Sequence, residues 1–191
     1  MDLKSTYKLI LGSQSPRRQS LLTSAGFQFE TRICTQDEIP NPNIEPEHQA
    51  EYLACQKADN LSSELRESEL LITADTIVCQ NNILLGKPKN RIEAEQFLRQ
   101  FSGSSHKVIT GLCLKSLNKQ QSFSTTTKVY FNPISEQDIQ NYLNQNTYQD
   151  KAGAYGIQET FGLLHVSHIE GCYFNVMGFP VSAFQQVLKQ F

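Results

Sequence analysis

An apolar run, Tyr7-Lys8-Leu9-Ile10-Leu11, breaks into Gly12-Ser13-Gln14-Ser15-Pro16-Arg17-Arg18. This is the pattern of a strand feeding straight into a helix. Ser15 stands in the N-cap position, and Pro16 takes the first helical position, where a missing N–H costs nothing. A strand-to-helix turn so early in the chain points to an architecture in which helices cover a sheet. The two arginines are out of keeping with the site, because a helix N-terminus carries partial positive charge and favours acidic residues. Beside exposed backbone N–H groups and two serine hydroxyls, they suit a polyanion seated on the turn, and equally a solvated basic turn.

The rest of the chain repeats the alternation of strand and helix periods. Leu21, Leu22 and Ala25 form a short amphipathic helix stopped by Gly26, and Phe27, Phe29 and Thr31 suggest a strand near the first. The segment 36–46 contains three prolines and reads as a loop. Pro46 opens a helix with Ala50, Leu53, Ala54, Ala58 and Leu61 at helical spacing. Leu70–Ala74 reads as a short buried strand ending at Asp75. A helix over 91–101 carries Ala94, Phe97, Leu98 and Phe101 on one face, and segments 107–117 and 121–131 read as a long hairpin. Ser135 and Asp138 resemble a capping box opening the helix of Ile139, Tyr142 and Leu143. Pro180 precedes a closing helix with Phe184, Val187, Leu188 and Phe191 on one stripe. The expected fold class is therefore α/β or α+β, with one domain or two lobes sharing a sheet.

Charge and cysteine content narrow the setting. A formal charge of −2 leaves no global basic excess for nucleic acid, so any anion site is local. The five cysteines are scattered with no C-x-x-C pair, which suits reduced thiols better than a disulfide frame or a zinc site. With no long apolar run and no leader-like segment, the expected location is cytoplasmic, with no membrane partner.

Several short stretches carry groups suited to phosphate chemistry, and each has a plain structural alternative. In Thr73-Ala74-Asp75-Thr76 a carboxylate stands where open α/β sheets place ligand contacts, although Asp is also an ordinary turn residue. Gly86-Lys87-Pro88 holds a lysine between two turn residues, without the spacing of a P-loop. Lys57 lies in a small, apolar helical stretch, where a snorkelling surface lysine is the default expectation. Glu38 in the proline-rich loop is a second candidate carboxylate. Asp150-Lys151-Ala152-Gly153-Ala154-Tyr155-Gly156-Ile157-Gln158 allows close backbone approach, and Gln158 offers a donor and an acceptor to a base edge. Leu163–Ile169 reads as a strand, which puts His165 and His168 on opposite faces and argues against a histidine metal pair.

Taken in order, these stretches resemble the Maf family of nucleoside triphosphate pyrophosphatases. The match runs from Leu11–Arg18 through Ala54–Ala58, Ala74–Thr76, Gly86–Pro88, His106–Gly111 and Asp150–Gln158 to Ile169–Pro180. The resemblance implies one domain over 1–191, with two lobes sharing a mixed central sheet of the inosine-triphosphatase-like type and a cleft between them. It also implies a homodimer, a divalent cation (Mg²⁺ or Mn²⁺), and hydrolysis of a nucleoside triphosphate to monophosphate and pyrophosphate. Carried over, Asp75 accepts the proton of the attacking water or holds the metal that activates it, and Glu38 assists metal or water. Ser13, Arg17, Arg18, Lys57 and Lys87 line the triphosphate, while Arg17, Thr76 and Gln158 govern base choice. Ala-Asp-Thr with Gly-Ile-Gln resembles the branch acting on dTTP and UTP, not the branch acting on 7-methyl-GTP. The family's septum-inhibition name leaves a regulatory role in cell division as one alternative, and the 7-methyl-GTP activity of the sister branch is another. Three positions depart from the family pattern: Gly12 in place of alanine, Glu159 in place of glycine and Cys172 in place of serine. Glu159 bears on substrate preference because it adjoins Gln158.

Overall fold

The first strand, β1 (Lys8–Leu11), enters α1 (Pro16–Ser24) with Ser15 as N-cap and Pro16 in the first turn. The computed structural model in which these elements are seen describes residues 7–33, 36 and 39–191, so Cys34 and Glu38 lie outside the described residues. The chain continues through β2 (Phe29–Thr31), α2 (Gln49–Leu61), β3 (Glu69–Gln80), β4 (Ile83–Leu85) and α3 (Arg91–Phe101). Next come β5 (Ser105–Lys115), β6 (Gln120–Phe131), α4 (Glu136–Leu143), α5 (Thr160–His165), β7 (Val166–Glu170), α6 (Tyr173–Val176) and α7 (Val181–Leu188). Among the described residues the strands form one mixed seven-stranded sheet, ordered β2-β1-β3-β5-β6-β7, with β4 paired to β3. β1 pairs in parallel with both β2 and β3, whereas β4 on β3 and β7 on β6 are antiparallel.

The chain divides into two compact units, the first formed by 1–75, 110–125 and 178–191 and the second by 76–109 and 126–177. β3, β5 and β6 each contribute residues to both. In the first unit, Ile10 and Leu71 pack with Ala54, Ala58 and Leu61 of α2 and with Cys113 of β5. Small residues on α2 let the helix lie close to the sheet. A Cβ at Gly111 would stand 2.3 Å from backbone atoms of Ala50 and Glu51, so only glycine fits there. Phe184 of α7 meets Phe27 and Phe179 edge-on at ring separations of 5.2 Å. The second unit is built on aromatics: Phe97 and Phe101 of α3, Phe131, Tyr142, Tyr155 and Phe161. Asn90 and Ser135 accept from Glu93 and Asp138 backbone N–H groups at the starts of α3 and α4, the second as its capping pattern predicts.

Two expectations are corrected. β3 does not end at Ala74. It continues through Asp75 to Gln80, because Ile77-Val78-Cys79 resumes the buried apolar run. The true turn is Asn81-Asn82, both at positive φ (51° and 62°), joining Gln80 to its partner Ile83. Leu163, Leu164 and His165 are helical, not strand. Gly162 draws that helix onto the chain behind it, since a Cβ there would meet Ile157 at 2.4 Å. Smaller differences concern Ala25, which is exposed, and α7, whose stripe buries only Phe184 fully.

Candidate active site

In the first unit the site is organised around one backbone carbonyl. β3 is buried along its length except at Asp75 and Thr76, the two half-buried positions in the strand. The carbonyl of Ala74, just before this opening, accepts a hydrogen bond from Arg18 Nη1 at 2.8 Å and another from Lys57 Nζ at 3.1 Å. Lys57 is 7% exposed, which overturns the snorkelling expectation, and its ammonium stands 3.6 Å from Asp75 Oδ1. A lysine is stable in so apolar a place only because an anion and a carbonyl face its charge. Thr73 Oγ1 donates to the Ala54 carbonyl at 2.6 Å, fixing α2 against β3 one turn before Lys57.

The turn from β1 to α1 completes this cluster. Ser13 is buried, and its hydroxyl oxygen accepts from Ser15 N–H and from Arg18 Nη1, both at 3.2 Å. Arg18 Nε donates to the Gly178 carbonyl at 2.9 Å. Arg18 thus ties the turn, the start of the Asp75 opening and the segment before α7 into one network. Arg17 is half-buried on the first turn of the same helix. The structure therefore brings Ser13, Arg18, Lys57 and Asp75 into one connected set. The Ala74 carbonyl, the Gly178 carbonyl and Thr73 are parts of it that residue-type reasoning missed. Carbonyls have no sequence signature, and Gly178 could be found only as a glycine inside a recurring motif.

The remaining candidates belong to the second unit. Thr76 follows Asp75 in β3 and so faces the opposite side of the strand. Lys87 is exposed in the turn between β4 and α3. Gln158 closes the small-residue segment, where Gly153 at φ 70° and Ala154 at φ 66° bend the backbone through the left-handed region. Its Nε2 faces Glu159 Oε1 at 3.5 Å, and Glu159 Oε2 in turn lies 3.3 Å from the buried Lys151 ammonium. Gly156 makes room for this, since a Cβ there would stand 2.8 Å from the Glu159 carboxyl carbon. Gln158 Oε1 is left buried with no hydrogen-bond partner among the described residues. Tyr155 is buried, with its hydroxyl 2.9 Å from His106 Nε2.

Among the described residues no group of three His, Cys, Asp or Glu side chains is placed to hold a metal. The donor chemistry nevertheless suits Mg²⁺. This ion usually keeps several waters and is bound by one or two carboxylates together with substrate phosphates, not by an all-protein cage. The half-buried Asp75 carboxylate is of the type that would serve as such a ligand.

A mixed α/β fold with buried cations converging beside a half-buried carboxylate defines a protein equipped to meet a polyanion. The sequence comparisons narrow this class. A model of the family described as Maf-like protein matches residues 8–191, and the chain belongs to that family. A dTTP/UTP pyrophosphatase of Phocaeicola vulgatus is 43% identical over 185 residues, covering 96% of both chains. Another so named, from Porphyromonas gingivalis, is 40% identical over 100% of this chain and 98% of its own. A third, from Flavobacterium johnsoniae, is 41% identical over 95% and 94%. No helix of the described residues is long and apolar enough to cross a membrane.

Proposed function

We propose that this chain hydrolyses nucleoside triphosphates to the monophosphate and pyrophosphate, with dTTP and UTP as its substrates. The observation that carries the reading is the similarity of 40% and more, over nearly the whole chain, to relatives that all bear the name dTTP/UTP pyrophosphatase. The site supports it, because an assembled set of Ser13, Arg18, Lys57 and Asp75 is what a triphosphate-cleaving centre needs.

In this reading water attacks the α-phosphorus, and the bond from that phosphorus to the bridging oxygen breaks to release pyrophosphate. Asp75 takes the proton of the attacking water or ligates the divalent cation, and Glu38, outside the described residues, assists. The cation, Mg²⁺ or Mn²⁺, would supply charge neutralisation of the phosphates and a more acidic bound water. Lys57 places a fixed positive charge beside Asp75, and Lys87 and Arg17 supply further charge to the phosphate chain. Arg18 holds Ser13 and the Ala74 carbonyl in place, so its part is positioning.

Base choice falls to Thr76, Arg17 and Gln158. Glu159 turns the Gln158 NH₂ toward itself, which leaves Oε1 as the atom offered to the base. Uracil and thymine carry a hydrogen on N3 that can satisfy this acceptor, whereas cytosine carries a lone pair there. The reading also includes a homodimer, supported by the exposed large apolar residues Leu163, Leu164, Tyr173 and Phe174 on α5 and α6. A cytoplasmic setting, where nucleotide pools lie, belongs to the same proposal.

The test is pyrophosphate release by the purified protein from a panel of canonical nucleotides and 7-methyl-GTP, with Mg²⁺ and with Mn²⁺. The strongest release is expected from dTTP and UTP. Absence of release from every triphosphate refutes the reading, and a preference for 7-methyl-GTP refutes the branch.

A further inference from the structure

Helix α2 and strand β5 run in step along three rungs. At the first, Gly111 lies so close to α2 that a Cβ would meet Ala50 and Glu51 backbone atoms at 2.3 Å. At the third, the Lys115 ammonium is paired with the Asp59 carboxylate. Two residues of strand advance about 6.7 Å, and four residues of helix advance about 6 Å. Steps from 111 to 113 to 115 therefore keep pace with steps from 51 to 55 to 59. The middle rung sets Cys113 against Cys55, and the two thiols pack in the same cluster with a sulfur hydrogen bond between them. Cys113 is fully buried, whereas Cys55 is partly open to solvent.

We propose that Cys55 and Cys113 form an oxidisable dithiol, in which hydrogen peroxide oxidises Cys55 first and Cys113 then closes an intramolecular disulfide. The proposal does not depend on the triphosphate reading. In the first step the Cys55 sulfur attacks the peroxide oxygen, the O–O bond breaks, and a sulfenic acid and water result. In the second, the Cys113 sulfur attacks the sulfenic sulfur and the S–O bond breaks. The hydroxyl leaves with the Cys113 proton as a second water. The two thiols lose two electrons and the peroxide gains them.

The surroundings order these steps. The hydrogen bond donated by Cys113 lowers the Cys55 thiol to about 7, against burial and against the Glu51 and Asp59 carboxylates, with the Ser122 hydroxyl helping. The same bond and burial push Cys113 well above the ordinary thiol range, even with Lys115 nearby. The more exposed sulfur is thus the nucleophile and the buried one resolves it. Closure ties α2, two residues before Lys57, covalently to β5.

Reduced protein is treated with hydrogen peroxide, quenched with N-ethylmaleimide, and mapped by mass spectrometry of its peptides with and without dithiothreitol. A peptide pair linked through Cys55 and Cys113, with the loss of two hydrogens and reversal by dithiothreitol, is expected. In Cys113→Ala, checked for folding by its thermal melt, dimedone should trap the Cys55 sulfenic acid and no linked pair should form. Recovery of Cys55 in the wild type as an alkylated thiol or as a sulfinic acid overturns the proposal, as does linkage of Cys55 to any other cysteine. The wild-type map decides the question even if the variant does not fold.

Discussion

Asp75→Asn separates the pairing of this carboxylate with Lys57 from the catalytic role proposed for it. Asparagine keeps the shape, but it removes the negative charge 3.6 Å from the ammonium. At that distance, in an effective dielectric of about 20, the gross attraction is roughly 4–5 kcal/mol. Desolvation of both groups offsets much of it, because the Lys57 and Asp75 side chains are 9% and 18% exposed. Lys57 also retains the Ala74 carbonyl at 3.1 Å. The net loss should be about 2 kcal/mol, which lowers the melting temperature of a chain this size by roughly 4–8 °C. A domain stable by about 5–15 kcal/mol remains almost wholly folded at 25 °C after such a loss. The rate is expected to fall by about 10²–10⁴, the usual contribution of a positioned general base. Unfolding cannot account for a decrease of that size. The assay pairs a thermal melt with steady-state pyrophosphate release from dTTP on the same preparation. Activity within about tenfold of wild type, in a variant with the expected melt, would falsify the assignment of Asp75.

Gly111→Ala should destabilise by more than about 3 kcal/mol, because its neighbours are backbone atoms that cannot rotate away. Gly86→Ala, with nothing within 4 Å, should be neutral or stabilising in the same urea melts, and equal effects would refute the packing argument. Burial holds His106 neutral, with its pKa lowered from 6.5 to about 3, so the unfolded chain binds a proton that the folded chain refuses. Stability should fall as pH drops through that window. His106→Phe should flatten the slope in melts taken between pH 6.5 and 4, and an unchanged slope counts against burial as the cause. Glu159→Ala releases the Gln158 amide to turn over, so the preference for UTP over CTP in kcat/KM should fall about tenfold. An unchanged ratio removes Glu159 from base selection.

How much the sequence disclosed depended on whether the partner of a residue was near in the chain. The stripe of Ala50, Leu53, Ala54, Ala58 and Leu61 was legible because periodicity is local, and all five are buried. Lys57 sits beside that stripe, and nothing within its helix distinguishes a snorkelling lysine from a buried one. Its burial depends on Ala74 and Asp75, in another element. The burial of Arg18 could not be read from its surroundings in the chain, because its Gly178 partner is 160 residues away. The end of β3 was misplaced because Asp75-Thr76 interrupts an apolar run as a turn does. The Asn-Asn pair six residues on was the stronger turn signal.

The interruption in β3 and the cations around it explain one another. A central strand buried on both sides would ordinarily exclude a carboxylate, and the buried face of a helix would exclude a lysine. Here each makes the other tolerable, and Arg18 adds a third charge to the same carbonyl as Lys57. Three elements distant in sequence (the β1–α1 turn, α2 and the middle of β3) are thus fixed to one another by charge-assisted hydrogen bonds. Such bonds are stronger than neutral ones and demand defined geometry. The Asp75 carboxylate therefore stands on the sheet at a position set by backbone pairing and held by side chains from two helices, not on a loop. Rigid support of this kind is what the role proposed for Asp75, directing a water at a phosphorus atom as its base or through a cation, requires.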